Sequence, residues 1–165
     1  MADIANSKLF QNIEGIRQLK DALVVLVKTE WNNAVVDELE SGCIRVLTEV
    51  GIHTMTLVVP GAVEIPFAIQ HYWNNSKKKK RPEAFIALGC IVRGGTPHFE
   101  YVSLSVTNGI TELNTKLPVP SIFGVLTVDN DEQAKERIGG SHGHKGEEAA
   151  VTAIKMMLLS RQLKK

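Results

Sequence analysis

Four short apolar runs, spaced by segments of a different rhythm, organise the chain. Ala22–Lys28 (ALVVLVK) is rich in valine and lacks alternation, as expected for a strand buried on both faces. Thr54–Val59 (TMTLVV), Ala84–Val92 (AFIALGCIV) and Ser121–Val128 (SIFGVLTV) read as three further strands. Between them the apolar positions recur near helical period. Asn32 or Asn33 is placed to cap a helix running to about Val50, with Val35, Leu39, Ile44 and Val46–Leu47 on its inner face and Gly51 ending it. Pro60-Gly61 breaks the second strand, and Ala62–Trp73 reads as a helix that tolerates Pro66 near its start. After the third strand, Arg93-Gly94-Gly95 is a turn and Thr96 opens a long helix to about Lys116. Asp129–Ile138 reads as a short helix, Gly139–Gly143 as a glycine-rich link and Glu147–Gln162 as the closing helix. Strand and helix alternate, which predicts an α/β three-layer sandwich with a mainly parallel four-stranded sheet, flavodoxin-like in arrangement. Residues 1–20 lack strong periodicity and are read as an N-terminal arm, either mobile or paired with a neighbouring subunit, ahead of one domain over 21–165.

Composition narrows the function classes. A chain of 165 residues, 44% hydrophobic and 22% charged, buries a core without disulfides or metal. Its net charge of +1 gives no electrostatic footprint for nucleic acid or a membrane surface, and the SKKKKRP stretch of 76–82 reads as a solvated loop. No apolar run approaches the ~20 residues of a membrane helix. The two cysteines, Cys43 and Cys90, form neither a CxxC motif nor a zinc spacing; free thiols in a reduced, cytoplasmic setting are the simplest reading. Cys90 sits in an apolar strand, the setting of an inert thiol. His142 and His144 lack a cysteine or carboxylate framework, so the loop reading outweighs a metal site there.

In a parallel sheet, ligands bind beyond the carboxyl ends of the strands. The residues expected together at that edge are Thr29–Asn32, Pro60–Glu64, Gly89–His98 and Thr127–Asn130. They bring an aromatic ring (Trp31), a carboxylate (Glu64), a glycine turn and an imidazole (His98). Two glycines permit close backbone approach and positive φ, and the following helix start favours a phosphate, with Thr96 adding a hydroxyl. Read alone, the same turn serves as a plain strand-to-helix connection. His98, in the first helical turn, is read as either a structural histidine or a neutral imidazole suited to proton transfer. Arg137 is either a favourable charge at a helix end or a bidentate phosphate clamp. Neither GxxxxGK[ST] nor GxGxxG occurs.

Several segments taken together carry a resemblance. Pro60–Pro66 (PGAVEIP), Leu88–Tyr101 (LGCIVRGGTPHFEY), Phe123–Thr127 (FGVLT), Glu132-Gln133-Ala134 with Arg137, and Gly143–Ala150 (GHKGEEAA) resemble the lumazine synthase family in order and spacing from about residue 20 to 160. The resemblance implies an enzyme of riboflavin biosynthesis. It condenses 5-amino-6-ribitylaminouracil with 3,4-dihydroxy-2-butanone 4-phosphate to 6,7-dimethyl-8-ribityllumazine and needs no cofactor or metal. It implies His98 as the proton-transfer residue and Trp31 as the ring stacking on the pyrimidine. Ala62, Val63 and Glu64 would bind the ribityl chain, and Cys90, Ile91 and Val92 the pyrimidine edge. Gly95, Thr96 and Arg137 would form the phosphate site. Phe123 would come from the adjacent subunit of a pentamer, so that the site straddles an interface. Glu30 stands where the family often has a basic residue, and His144 where it often has asparagine. Two other uses of the scaffold are a lumazine or flavin carrier and a shell-forming protein, since some members assemble twelve pentamers into a capsid.

Overall fold

The computed structural model describes residues 16–77 and 81–164. Four parallel strands, β1 (Leu23–Thr29), β2 (His53–Val59), β3 (Ala84–Val92) and β4 (Ser121–Val128), form one sheet in the order β2-β1-β3-β4. The expected architecture is the observed one. The two central strands explain it. Val24–Val27 of β1 and Ala84–Leu88 of β3 are fully buried, so both sheet faces need a cover. Val24, Leu26, Ile86 and Leu88 face one helical layer, made of α1 (Asn33–Glu49) and α5 (Lys145–Leu163). Val25, Val27, Phe85 and Ala87 face the other, made of α2 (Ile65–Asn75) and α3 (His98–Lys116).

α1 buries Val36, Leu39, Cys43 and Leu47, one stripe at helical spacing; Ile44, expected inside, lies at the surface. Gly51 takes φ +77°, the left-handed turn that reverses the chain into β2. α1 and α5 approach backbone to backbone. A Cβ on Gly146 would collide with the Leu39 main chain, and the Cys43 thiol donates to the Gly146 carbonyl at 3.0 Å. Burial pushes that thiol up to about 12, so it stays protonated.

Several boundaries differ from the sequence expectation. The helix expected from Ala62 is a 3-10 turn over Ala62–Glu64 followed by α2, with Pro66 in the first turn of α2. The long helix begins at His98 rather than Thr96, because Pro97 occupies the cap. The short helix α4 spans Asp131–Lys135 only, capped by the Asn130 side chain, which accepts from the Gln133 N–H at 2.9 Å. The glycine link is an antiparallel hairpin, β5 (Ile138–Gly140) with β6 (Gly143–His144), which positive φ at Gly139 and Gly143 makes possible. α5 starts two residues early, at Lys145.

Most of the expected N-terminal arm lies outside the described residues. Its last part is a 3-10 turn, Ile16–Leu19, in which Leu19 is fully buried in the α1/α5 layer and the Gln18 carbonyl accepts from Arg161. No described helix is long and apolar enough to cross a membrane.

Candidate active site

The strand order reverses direction between β1 and β3. β1 leads outward to β2, and β3 leads outward to β4. The loops leaving β1 and β3 therefore diverge, and a crevice opens at their carboxyl ends. The residues that follow those two strands form its floor.

The loop after β1 is fastened from both sides. Glu30 N–H donates to the Val59 carbonyl at 2.9 Å, tying it to the end of β2, and the buried Thr29 hydroxyl donates to the Trp31 carbonyl at 3.2 Å. Asn32 adopts φ 56°, ψ 41°. It precedes α1, but its side chain does not cap the helix; its Nδ2–H donates instead to the Cys90 carbonyl at 2.8 Å, across the divergence of the two loops. Asparagine is among the few residues that tolerate the left-handed region, so one residue supplies both the bend and the bridge. The Trp31 ring is held at the surface, 73% exposed. A core role for it is thereby excluded.

Beyond β2, the 62–64 turn lies against both β3 and α3. A Cβ at Gly61 would sit 3.0 Å from the Glu64 carboxylate and 3.6 Å from Cδ1 of Trp31, so ring and carboxylate flank the same glycine. Ala62 is buried beneath, and Val63 is partly exposed. The end of β3 supplies Cys90, Ile91 and Val92. Cys90 is buried, and desolvation first, with the Asp131 charge second, pushes its thiol up to about 11. That is the inert thiol expected, not a nucleophile.

The Gly94-Gly95-Thr96 turn is exposed. Neither glycine takes the positive φ expected of it, and a Cβ on either would meet nothing within 4 Å. The protein's own packing does not demand glycine here; the turn leaves open space. Arg93 fixes both ends of this turn. Its N–H donates to the Val128 carbonyl at 2.9 Å, its Nε donates to Asp129 at 2.8 Å, and its Nη1 donates to Glu100 in the first turn of α3. The guanidinium also lies over the Phe99 ring at 4.1 Å. His98, between these anchors, is exposed at the start of α3.

Phe123 and Arg137 do not join this group within the chain. Phe123 is in the middle of the edge strand β4, opposite Ala87, and is 42% exposed in an apolar groove with Leu117, Met156, Leu159 and the Lys145 side chain. Arg137 follows α4, where its Nη1 donates to the Gln133 carbonyl at 2.7 Å. Its carbonyl accepts from Lys145 N–H at 2.8 Å, which places its backbone beside the groove residue Lys145. No hydrogen bond or ion pair joins Arg137 to Gly95 or Thr96 among the described residues. Among the expected site residues, Trp31, 62–64, 90–92 and 95–98 follow the ends of β1, β2 and β3, whereas Phe123 lies in mid-strand in β4 and Arg137 follows α4. Among the described residues no group of three His, Cys, Asp or Glu side chains is placed to hold a metal.

An exposed indole, a carboxylate, an open glycine turn and an imidazole at the switch point of a parallel sheet lie in or beside the segments that carried the resemblance. Residues 21–161 match the family model described as 6,7-dimethyl-8-ribityllumazine synthase. The chain belongs to that family. A 6,7-dimethyl-8-ribityllumazine synthase of Porphyromonas gingivalis is 44% identical over 145 residues, covering 86% of this chain and 88% of the relative. One of Parabacteroides distasonis is 44% identical over 138 residues, covering 82% and 84%. One of Phocaeicola vulgatus is 36% identical over 159 residues, covering 94% and 90%. The lumazine synthase family supplies the class of reaction; the geometry must supply the roles.

Two features were missed in the sequence reading. The sequence places Asn32 or Asn33 to cap α1, although an asparagine between a tryptophan and a helix start fits a left-handed bridge equally well. Arg93 was read as part of a turn, although Asp129 and Glu100 stand at the two places it must reach.

Asn32 gives a graded test of the bridge. Asn32→Gly removes the bond to Cys90 but suits the backbone, whereas Asn32→Ala also meets the left-handed penalty. The alanine variant should be less stable than the glycine variant by about 1–2 kcal/mol in chemical denaturation. Arg93 gives a pH test. Its hydrogen bonds are the main cause holding the Asp129 and Glu100 carboxyls below their usual range, with Gln133 assisting at Asp129. Depressed carboxyls stabilise the fold above the ordinary carboxylate range and lose that contribution as pH falls through their folded values. The Tm difference between the parent and Arg93→Ala should therefore shrink as the pH is lowered through and below that range. The difference is small at every pH because the groups are exposed.

Proposed function

We propose that this chain condenses 5-amino-6-ribitylaminouracil with 3,4-dihydroxy-2-butanone 4-phosphate, releasing phosphate and water, at a site shared between adjacent copies of itself. The observation that carries the reading is the exposed Trp31 ring, held beside Glu64 by a loop bridged to Cys90. A flat pyrimidine stacks on Trp31, and its polar edge meets the main chain of Cys90, Ile91 and Val92. The ribityl hydroxyls run along Ala62 and Val63 to Glu64, whose carboxylate accepts from them. The phosphate of the second substrate fits the open Gly95-Thr96 turn at the start of α3, where unpaired N–H groups favour an anion.

The amine of the first substrate attacks the ketone of the second, and water leaves as the imine forms. Removal of a proton from carbon then expels phosphate, and ring closure releases a second water. Each step moves a proton, and none needs a protein nucleophile. His98 takes and returns these protons from the first turn of α3, beside the phosphate turn. Holding the two substrates together accounts for much of the remaining acceleration.

Phe123 and Arg137 complete the site from a neighbouring copy. Support comes from the place of Phe123 in mid-strand, away from the strand ends, and from the uncovered apolar groove around it, lined also by Lys145, whose N–H is bonded to the Arg137 carbonyl. A pentamer of the domain over 21–165, acting in the cytoplasm, is the assembly this reading favours.

Incubating the purified chain with both substrates, without added metal, should produce the absorbance and fluorescence of the lumazine. No product from folded, assembled protein overturns the reading. His98→Ala should lower kcat by about 10–100-fold with ligand binding retained, less than the full general acid–base contribution because approximation of the substrates persists. A pure carrier of lumazine or flavin would be indifferent to this change. The shared site makes a separate prediction. His98→Ala and Arg137→Ala chains, each impaired alone, should regain activity when unfolded and refolded together, because some interfaces then pair an intact crevice with an intact Arg137. Mixed assemblies no more active than the sum of the parents would place both residues in one chain's site.

A further inference from the structure

The buried His144 side chain is not used in the chemistry above, and it is only 8% exposed. Its Nδ1 accepts from the Glu147 N–H at 3.4 Å, capping α5. The other ring nitrogen, Nε2, faces Glu38 of α1 at 3.3 Å. A Cβ on Gly42 of α1 would overlap the imidazole, and the site of one on Gly139 lies 3.9 Å from its Cδ2. The ring is therefore wedged between α1, the β5–β6 hairpin and the first turn of α5. It is not part of the loose loop that its glycine-rich setting implied.

The charged groups around the ring are satisfied without it. Arg45 pairs with Glu147 at 2.5 Å, Lys145 with Glu148 at 2.6 Å and His142 with Glu136 at 3.6 Å; Glu38 is half exposed to water. What the imidazole adds is a cap and a shape. The main chain it fixes leads to Arg137 by two routes. His144 pairs with Ile138 in the hairpin, and Lys145 N–H donates to the Arg137 carbonyl. A planar guanidinium delivers two bonds to a phosphate only when its stem is correctly aimed.

From this wedge we infer that His144 is a positioning residue for Arg137, setting the aim of the guanidinium toward the phosphate of the second substrate. The inference rests on the proposed role of Arg137. In steady-state kinetics on the full assembled chain, His144→Ala should raise KM for the butanone phosphate, by up to about 100-fold for a displacement near 1 Å. The Ki of inorganic phosphate should rise in parallel, while KM for the ribityl substrate and kcat stay near the parent's. His144→Asn keeps an acceptor for the Glu147 N–H and should recover most of the loss. Gly42→Ala, which pushes the ring out of its slot, should reproduce the His144→Ala phenotype; it carries the test if His144→Ala does not assemble. Combined with His144→Ala, it should add little, because the added methyl then fills vacated space. An unchanged KM for the butanone phosphate in an active His144→Ala or Gly42→Ala enzyme overturns the inference alone. So does an equal loss in both KM values and kcat, or a His144→Asn variant as impaired as His144→Ala. A parent enzyme that makes no lumazine overturns the functional reading instead.

Discussion

The main-chain groups of β1 and β3 are paired on both edges, and their side chains are covered on both faces. Strands placed this way cannot end gradually. Where the sheet stops, the chain must turn out into one of two helical layers, and β1 and β3 feed loops that part company. The crevice is the space left by that parting. Trp31, the 62–64 turn, Cys90–Val92 and the Gly94–Thr96 turn are functional candidates because of where they leave the sheet. The rigidity of the crevice is the rigidity of two strands that have nowhere else to go.

The crevice is also cross-braced. Asn32 ties the β1 loop to the β3 carbonyl at Cys90, Glu30 ties it to β2, and Arg93 ties the end of β3 to Asp129 and to α3. These bonds join loops that the sheet alone leaves independent. An exposed indole and an imidazole on separate loops keep their relative geometry only if such braces exist. The exposed ion pairs of Arg93 add little stability, yet they set the two ends of an otherwise uncommitted glycine turn.

The sheet order and its covering layers were legible because continuous apolar runs and helical stripes differ in period. Trp31 and His98 stand out in the sequence because each comes soon after a strand, and both are exposed beyond the carboxyl ends of β1 and β3. What escaped the reading depends on contacts distant in sequence. The partner of Asn32 lies 58 residues away and that of His144 lies 106 away at Glu38. No local pattern encodes either. The hairpin at 138–144 was hidden for another reason. Three glycines in seven residues weaken any strand signal, although two of them supply the positive φ the hairpin needs. The helix expected from Thr96 starts two residues later because Pro97 sits at the cap itself.

The exposed apolar side chains argue about assembly on independent grounds. Phe123, Met156, Leu159 and Leu163 line one groove along β4 and α5, while Val63, Phe67, Tyr101 and Leu104 stand out on the α2/α3 side. A lone soluble chain seldom presents two such apolar areas on different faces, and β4 also offers an unpaired sheet edge. Two unlike faces that cover each other head to tail close into a ring when the rotation between copies permits. Such an arrangement covers both apolar areas at once and sets the β4 side of one copy against a neighbour. It is also the arrangement in which the proposed roles of Phe123 and Arg137 would be played at a neighbour's crevice. The burial of hydrophobic surface and the completion of the proposed site would then follow from one and the same contact.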